Sequence, residues 1–257
     1  MTTAHAIRDS RTMLRRNLLH ALRYPSMTLS VVGMPIIMLL LFVYVLGGVL
    51  GAGLGGSGSY VDYLAPGIIL MAAASGSMTV AISVCSDMTE GIINRFRTMP
   101  ISRASVLTGH VVGGTVQTVL SVVLITAVAL LVGFRPTAGP LDWLAALGLL
   151  TLVSFALSWI SAAAGLMTRS VETASNIVLP LSLLPFIGSA FVPTDSMPPA
   201  VRWFAENQPF TPIIEAVRGL LMGTPVGANG VLAVGWCAVI ALVGYFWARA
   251  AFNRAPA

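Results

Sequence analysis

Lysine is absent from this 257-residue chain; all fourteen basic residues are arginine, set against nine acids, and charged residues make up only 9% of the total. The missing lysine excludes two chemistries at once. A phosphate-cradling P-loop needs a lysine that reaches the terminal phosphates, and Schiff-base catalysis needs a lysine amine. The chain therefore cannot hydrolyse ATP by the P-loop route on its own. The shortage of charge excludes an ordinary soluble domain, where roughly a quarter of residues are charged. Cys85 and Cys237 sit far apart inside apolar runs and read as small hydrophobes, not as a disulfide or metal site. Neither HExxH nor GxSxG occurs, and His5, His20 and His110 lie away from any carboxylate cluster in the sequence, which leaves protease and hydrolase chemistry without residues to perform it. His110, near a helix end, reads as a structural histidine.

What fills the chain is apolar: 56% of residues. This predicts an all-α integral membrane protein with room for about six helical spans of roughly 20 residues each. The spans fall at 27–50, 63–84, 106–132, 144–167, 174–192 and 231–252, in a single transmembrane domain covering 1–257. Residues 1–26 form its cytoplasmic amphipathic segment and 253–257 its cytoplasmic tail. In the first of these, Ile7, Leu14, Leu18 and Leu22 share one side of a helix over 4–23, with Arg8, Arg11, Arg15 and Arg16 mostly elsewhere, as suits a helix lying along anionic headgroups. With both termini cytoplasmic, eleven arginines lie inside and three (Arg135, Arg202 and Arg218) outside, as the positive-inside rule requires.

Several details follow from residue type. Gly47, Gly51 and Gly55 stand four apart, and Ser154, Ser158, Ser161 and Gly165 form a small-residue stripe; both suit close helix contact. The GxGxxG string at 53–58 follows a membrane helix and lacks the strand that a dinucleotide site requires, so it reads as a flexible outer loop. Pro180 and Pro185 bend the fifth span. Residues 193–230 hold two helices too short to cross, the second opened by Thr211 as cap with Pro212 behind it, and together they predict a re-entrant hairpin before the last span. On it, Glu215 and Arg218, three apart, can pair. Asp62, Asp87, Asp142 and Glu172 all lie at span ends, so the midplane charges typical of ion-coupled carriers are missing and an external energy source is favoured.

The longest polar interruption between two spans is 87–103. Asp87 and Glu90 come first, and Arg95, Arg97 and Arg103 follow, so a short helix over 89–99 would carry acids at its positive end and bases at its negative end. Ile92, Ile93, Phe96 and Met99 give it an apolar face, and Pro100 stops it. Exposed Ile, Phe and Met on a polar loop read as a docking helix.

The string Glu90-Gly91-x-x-x-Arg95-Phe96-Arg97-x-x-Pro100-Ile101-Ser102-Arg103 resembles the first cytoplasmic loop of the type-2 ABC exporter permeases, in the Arg-Phe-Arg form of their daunorubicin-resistance branch. A second match, Phe191-Val192-Pro193, Met197-Pro198, Glu206-Asn207-Gln208-Pro209-Phe210-Thr211 and Glu215-Ala216-Val217-Arg218-Gly219-Leu220, is similar to the segment before that family's last span. The resemblance implies a permease subunit of an ATP-driven exporter, moving a hydrophobic or amphipathic small molecule or lipid. It also implies a dimer with a second copy or a paralogue, and a cytosolic ATPase subunit that carries the ATP and Mg. No cofactor belongs to this chain itself, and its partners are proteins and the lipid bilayer, with no nucleic acid. It makes Asp87, Glu90, Gly91, Arg95, Phe96, Arg97, Pro100 and Arg103 the contacts to the ATPase, and Asn207, Pro209, Glu215 and Arg218 an outer gate. Export of a lipid-linked polysaccharide precursor, or a non-transporting scaffold or sensor role, are the alternatives that the residues leave open.

Overall fold

A computed structural model describes residues 25–53, 59–90 and 103–254. The expected surface helix over 4–23, the glycine-rich 54–58 and most of the 87–103 loop lie outside the described residues. Among those described, every regular element is helical. Four helices are long and apolar enough to cross a bilayer: α3 (Tyr60–Thr89), α4 (Arg103–Val132), α5 (Pro140–Met167) and α9 (Ala228–Arg254). With 27 to 30 residues each, they extend about 40–45 Å at 1.5 Å per residue, beyond the roughly 30 Å of hydrocarbon.

Two further apolar segments are interrupted. The expected span 27–50 is α1 (Pro25–Leu40), a π-helical turn Leu41–Val45, and α2 (Gly47–Gly53). The turn is closed by the Leu46 N–H donating to the Leu41 carbonyl at 3.1 Å. The break lets α2 lie against the start of α3, where a β-carbon on Gly51 would stand 3.5 Å from that of Tyr60. The expected span 174–192 is α6 (Val171–Leu183) followed by a 3-10 turn, Leu184–Ile187. It starts early because the Ser170 hydroxyl accepts the Thr173 N–H at 3.2 Å. It stops short because Pro185 withholds a donor and the chain opens at Gly188, where the backbone turns extended.

A 3-10 turn, Thr194–Ser196, leads into α7 (Pro199–Asn207) and α8 (Phe210–Met222). These two short helices stand where the sequence placed them, with one correction. Thr211 does not cap α8: Pro209 already has helical dihedrals, the helix begins at Phe210, and the buried Thr211 hydroxyl has no partner among the described residues. Gly223, left-handed at φ 63°, ends α8.

α3 is the helix on which the others pack. In its most apolar window 72% of residues are buried, against 22% in α9. Its surface is built for close approach, with Ala65, Ala72, Ala73, Ala74, Gly76, Ser77 and Ala81 among its buried positions. The expected stripe on α5 faces it: Ser154, Ser158 and Ser161 are fully buried, and the Ser161 hydroxyl donates to that of Ser77 at 3.3 Å. At the end of the stripe a β-carbon on Gly165 would fall 2.5 Å from the Ala81 carbonyl oxygen, which is backbone and cannot swing aside. In lipid this small-on-small packing substitutes for a hydrophobic driving force.

Gly165→Ala is accordingly expected to destabilise the bundle by about 1–3 kcal/mol, the range for overpacking a tight core. Gly148→Ala, on the same helix with open space where the β-carbon would stand, should be neutral. Thermal unfolding of the two variants in detergent checks the contrast.

Candidate functional site

The 87–103 loop leaves the bundle between the end of α3 and the start of α4. α3 runs through Thr89, so Asp87 sits in its last turn and Glu90 is the residue that caps it. This corrects the sequence expectation that Asp87 would favour the positive end of a helix opening at Thr89. It lies instead at the negative end of α3, where a carboxylate is disfavoured unless something partners it. His110, on the second turn of α4, does so: its Nε2 lies 3.1 Å from Asp87 Oδ2, and its Nδ1 lies 3.3 Å from the Ser83 hydroxyl. The geometry suits the tautomer that donates from Nε2 to the carboxylate and accepts from Ser83 at Nδ1. Asp87 and His110 are both buried. Apolar side chains close the inner side of this relay: Val80, Val84, Leu107, Val111, Leu166 and Phe252 belong to one buried cluster.

Glu90 is exposed; its backbone N–H bonds the Ser86 carbonyl at 2.9 Å, and its carboxylate accepts from the Ser86 hydroxyl at 3.5 Å. Gly91, Arg95, Phe96, Arg97 and Pro100 lie outside the described residues, as does the side chain of Arg103, whose backbone opens α4. The described part of the site is thus its root. Sequence reasoning missed His110 because the carboxylate it meets is 23 positions away across the loop. The available signal was topological, since antiparallel neighbours joined by that loop must bring Asp87 and the first turns of α4 to one level.

A second polar cluster gathers at the opposite end of α3. Where α6 gives way to a 3-10 turn and then leaves the helix at 184–191, three of its carbonyls accept from side chains of other helices. The Ser189 carbonyl accepts from Arg218 Nη2 at 2.6 Å and from the Tyr63 hydroxyl at 2.9 Å. The Leu184 carbonyl accepts from Gln208 Nε2 at 3.2 Å, and that of Phe191 from the Tyr60 hydroxyl at 3.4 Å. Arg218 also donates to the Tyr63 carbonyl, lies 3.9 Å over the Tyr63 ring, and pairs with Glu215 at 2.5 Å as the three-residue spacing predicts. Phe191 stacks on Phe186 at 4.9 Å and tilts against Phe42 at 4.5 Å.

Of the four residues expected at an outer gate, Glu215 and Arg218 enter this cluster and Asn207 and Pro209 do not. Asn207 is exposed and donates to the Trp203 carbonyl at 2.7 Å, and Pro209 starts α8. The buried anchor at the α7–α8 joint is Gln208, which the sequence reading passed over along with Tyr63. On the surface of α7, Arg202 bonds Glu206 at 2.7 Å and Asp195 at 2.6 Å; the hydrogen bond to Glu206, with the charges of both acids, raises its already high pKa.

Four helices long and apolar enough to cross a bilayer, with a polar cluster near each end of α3 among the described residues, define a multi-pass protein of the cell membrane. A profile of the ABC-2 type transporter family matches residues 8–222, and the chain belongs to that family. Over 222 residues it is 29% identical to a daunorubicin-resistance ABC transporter permease of Streptomyces coeruleorubidus, covering 86% of this chain and 77% of that one. It is 26% identical over 246 residues to a Mycobacterium tuberculosis protein named as a probable doxorubicin-resistance ABC transporter permease, covering 92% and 88%. The family resemblance read from the two sequence segments is borne out. ABC-2 permeases are membrane subunits of ABC transporters and work with a cytosolic ATPase subunit.

Arg218→Met would strand the partly buried Glu215 carboxylate, at about 1–3 kcal/mol for a polar group left unpaired, while the Ser189 carbonyl keeps its bond from the Tyr63 hydroxyl. The double variant Arg218→Met with Glu215→Gln should recover part of that loss. Unfolding midpoints of the two in detergent, compared with the parent, give the test.

Proposed function

We propose that this chain is the permease subunit of an ATP-driven exporter of a hydrophobic or amphipathic small molecule. It works as a dimer, and its 87–103 loop receives the push of a cytosolic ATPase. The observation that carries this reading is the root of the loop. The two longest helices converge on it and are joined there by buried Asp87 and His110 and the half-buried Ser83, beside an apolar cluster. A loop rooted in this way on two helices, each of 30 residues, can deliver a displacement to both of them together. Gly91, Arg95, Phe96, Arg97, Pro100 and Arg103 are the contacts proposed to meet the ATPase, because a few aromatic and arginine residues can dominate the energy of an interface. Glu90 stands at the rim of the same surface.

Six crossings are the reading that reconciles the four long helices with the two interrupted apolar segments. The distribution of arginine supports cytoplasmic termini and a cytoplasmic 87–103 loop. α7 and α8 have nine and thirteen residues, or about 14 and 20 Å, too short to cross, which supports a re-entrant hairpin at the outer face. Arg218 and Glu215 are its lock, and Asn207 and Pro209 its hinge. The drug-resistance names of two relatives support a small-molecule cargo.

Phe96→Ala combined with Arg97→Ala is expected to abolish cargo export by reconstituted transporter while the permease stays folded and dimeric. Unchanged export together with unchanged binding of the ATPase subunit would refute the proposed coupling. Stimulation of the ATPase across a panel of apolar compounds and lipid-linked glycans would decide the class of cargo.

A further inference from the structure

An apolar cleft of about 630 Å³ lies between α4 and α5, at the end of the bundle away from the 87–103 loop. Val122, Thr126 and Leu130 line it from α4, and Trp143, Leu147 and Leu150 from α5, with Ile69 and Leu221 also contributing. The lining is almost wholly apolar: the hydroxyl of Thr126 is turned onto the Val122 carbonyl at 2.8 Å, and the Trp143 indole N–H is the remaining side-chain donor among the lining residues. Small-molecule sites of this size ordinarily offer a few such groups. The cleft extends along α4 from Leu130 to Val122, about 12 Å at 1.5 Å per residue, a little less than one leaflet of the roughly 30 Å hydrocarbon core. Leu144 and Val123 on its rim are more than half exposed, so it opens sideways toward the acyl chains.

A guanidinium stands at the mouth of the cleft. Arg135, just past the end of α4, bends back so that its Nη1 donates to the carbonyl of Leu130, a lining residue, at 2.8 Å and to that of Phe134 at 3.1 Å. The other two arginines at this end of the bundle are engaged with acids, Arg202 with Asp195 and Glu206, and Arg218 with Glu215. Among the described residues no carboxylate forms an ion pair with Arg135. Asp62 Oδ1 accepts the Arg135 backbone N–H at 2.8 Å and Asp142 Oδ2 accepts the Gly139 N–H at 3.0 Å, and neither bonds the guanidinium. Nε and Nη2 of Arg135 have no described protein partner, and a guanidinium presents such donors in the fork that matches a phosphate.

We propose that this cleft is a binding site for one anionic phospholipid, its phosphate held by Arg135 and one acyl chain lying in the groove between α4 and α5. The match of a guanidinium that forms no ion pair among the described residues to an almost wholly apolar groove one leaflet deep carries the assignment. A lipid seated there fixes the spacing of the two helices at the end opposite the coupling loop. This inference does not depend on the proposed cargo or on the ATPase.

Trp143 in the lining supplies the probe. With Trp159, Trp203, Trp236 and Trp247 replaced by Phe, the full chain is reconstituted in vesicles containing phosphatidylglycerol or phosphatidylcholine with brominated acyl chains. The expected result is that phosphatidylglycerol quenches Trp143 at a several-fold lower mole fraction than phosphatidylcholine, that Arg135→Gln makes the two lipids equal, and that Arg135→Lys keeps most of the preference. Equal quenching in the parent would mean ordinary annular lipid and overturn the proposal. So would a preference that survives Arg135→Gln, or an absence of quenching by either lipid, which would mean that protein covers the cleft. Should the single-tryptophan chain fail to fold, native mass spectrometry of the chain with its own tryptophans, comparing retained phosphatidylglycerol and phosphatidylcholine with and without Arg135→Gln, asks the same question: loss of selective retention in the variant supports the site, and equal retention overturns it.

Discussion

A peptide group that leaves a helix inside hydrocarbon has no water to turn to, and each unsatisfied N–H or C=O there costs several kcal/mol. That constraint explains the most irregular part of this molecule. Between Leu184 and Phe191 the chain abandons α6, and the carbonyls of Leu184, Ser189 and Phe191 are taken up by Gln208 at the joint of the short helices, by Arg218 of α8 and by Tyr60 and Tyr63 from α3. A cation over an aromatic ring, the two tyrosine hydroxyls and a stack of phenylalanines hold the place of the missing helical turn. The short helices are therefore part of the membrane bundle's own bonding, not an appendage to it.

The same constraint makes α3 central. Its buried face is nearly free of large side chains from Ala72 to Ala81, and α5 answers with serines and a glycine, so the two backbones approach until one added β-carbon would collide with a carbonyl. Packing this close leaves little freedom for one helix to slide on the other. It makes α3 and α5 a stiff pair, on which α4 and α9 expose much of their length to lipid.

Much of this was legible in the residues. The long spans, the small-residue stripe, the pairing of Glu215 with Arg218 and the two short helices all follow from local spacing. What was hidden needed the third dimension. His110 looked solitary because its carboxylate is across a loop, and Gln208 looked like its neighbour Asn207 until the chain turned extended at Gln208, past the end of α7, and set one side chain inward and the other outward. Pro185, expected to bend the fifth span, stands where α6 gives way to a 3-10 turn. The break in the first apolar segment was hidden for a different reason: hydropathy reports where a segment lies, not whether its hydrogen-bond ladder is continuous.

Both polar clusters are built on one helix. α3 carries Tyr60 and Tyr63 at its start and Ser83 and Asp87 near its end, with 24 peptide steps between Tyr63 and Asp87, or about 36 Å along the axis. Tyr63 contacts the Arg218 guanidinium, and Asp87 contacts His110 at the root of the loop. A helix bound tightly to α5 along its middle transmits tilt better than it transmits bending, because bending would have to open the Gly165 contact. A displacement of the loop by a few ångströms would thus reach the Tyr63 end as a rotation of the α3–α5 pair. There the bonds it must break are those between side chains of α3 and α8 and the freed carbonyls of 184–191. Side-chain bonds to carbonyls can exchange partners one at a time, whereas a helical ladder has to unzip. The unwound segment is thus the place in the bundle where motion costs least, and the two helices that pack across it are the ones such motion would part.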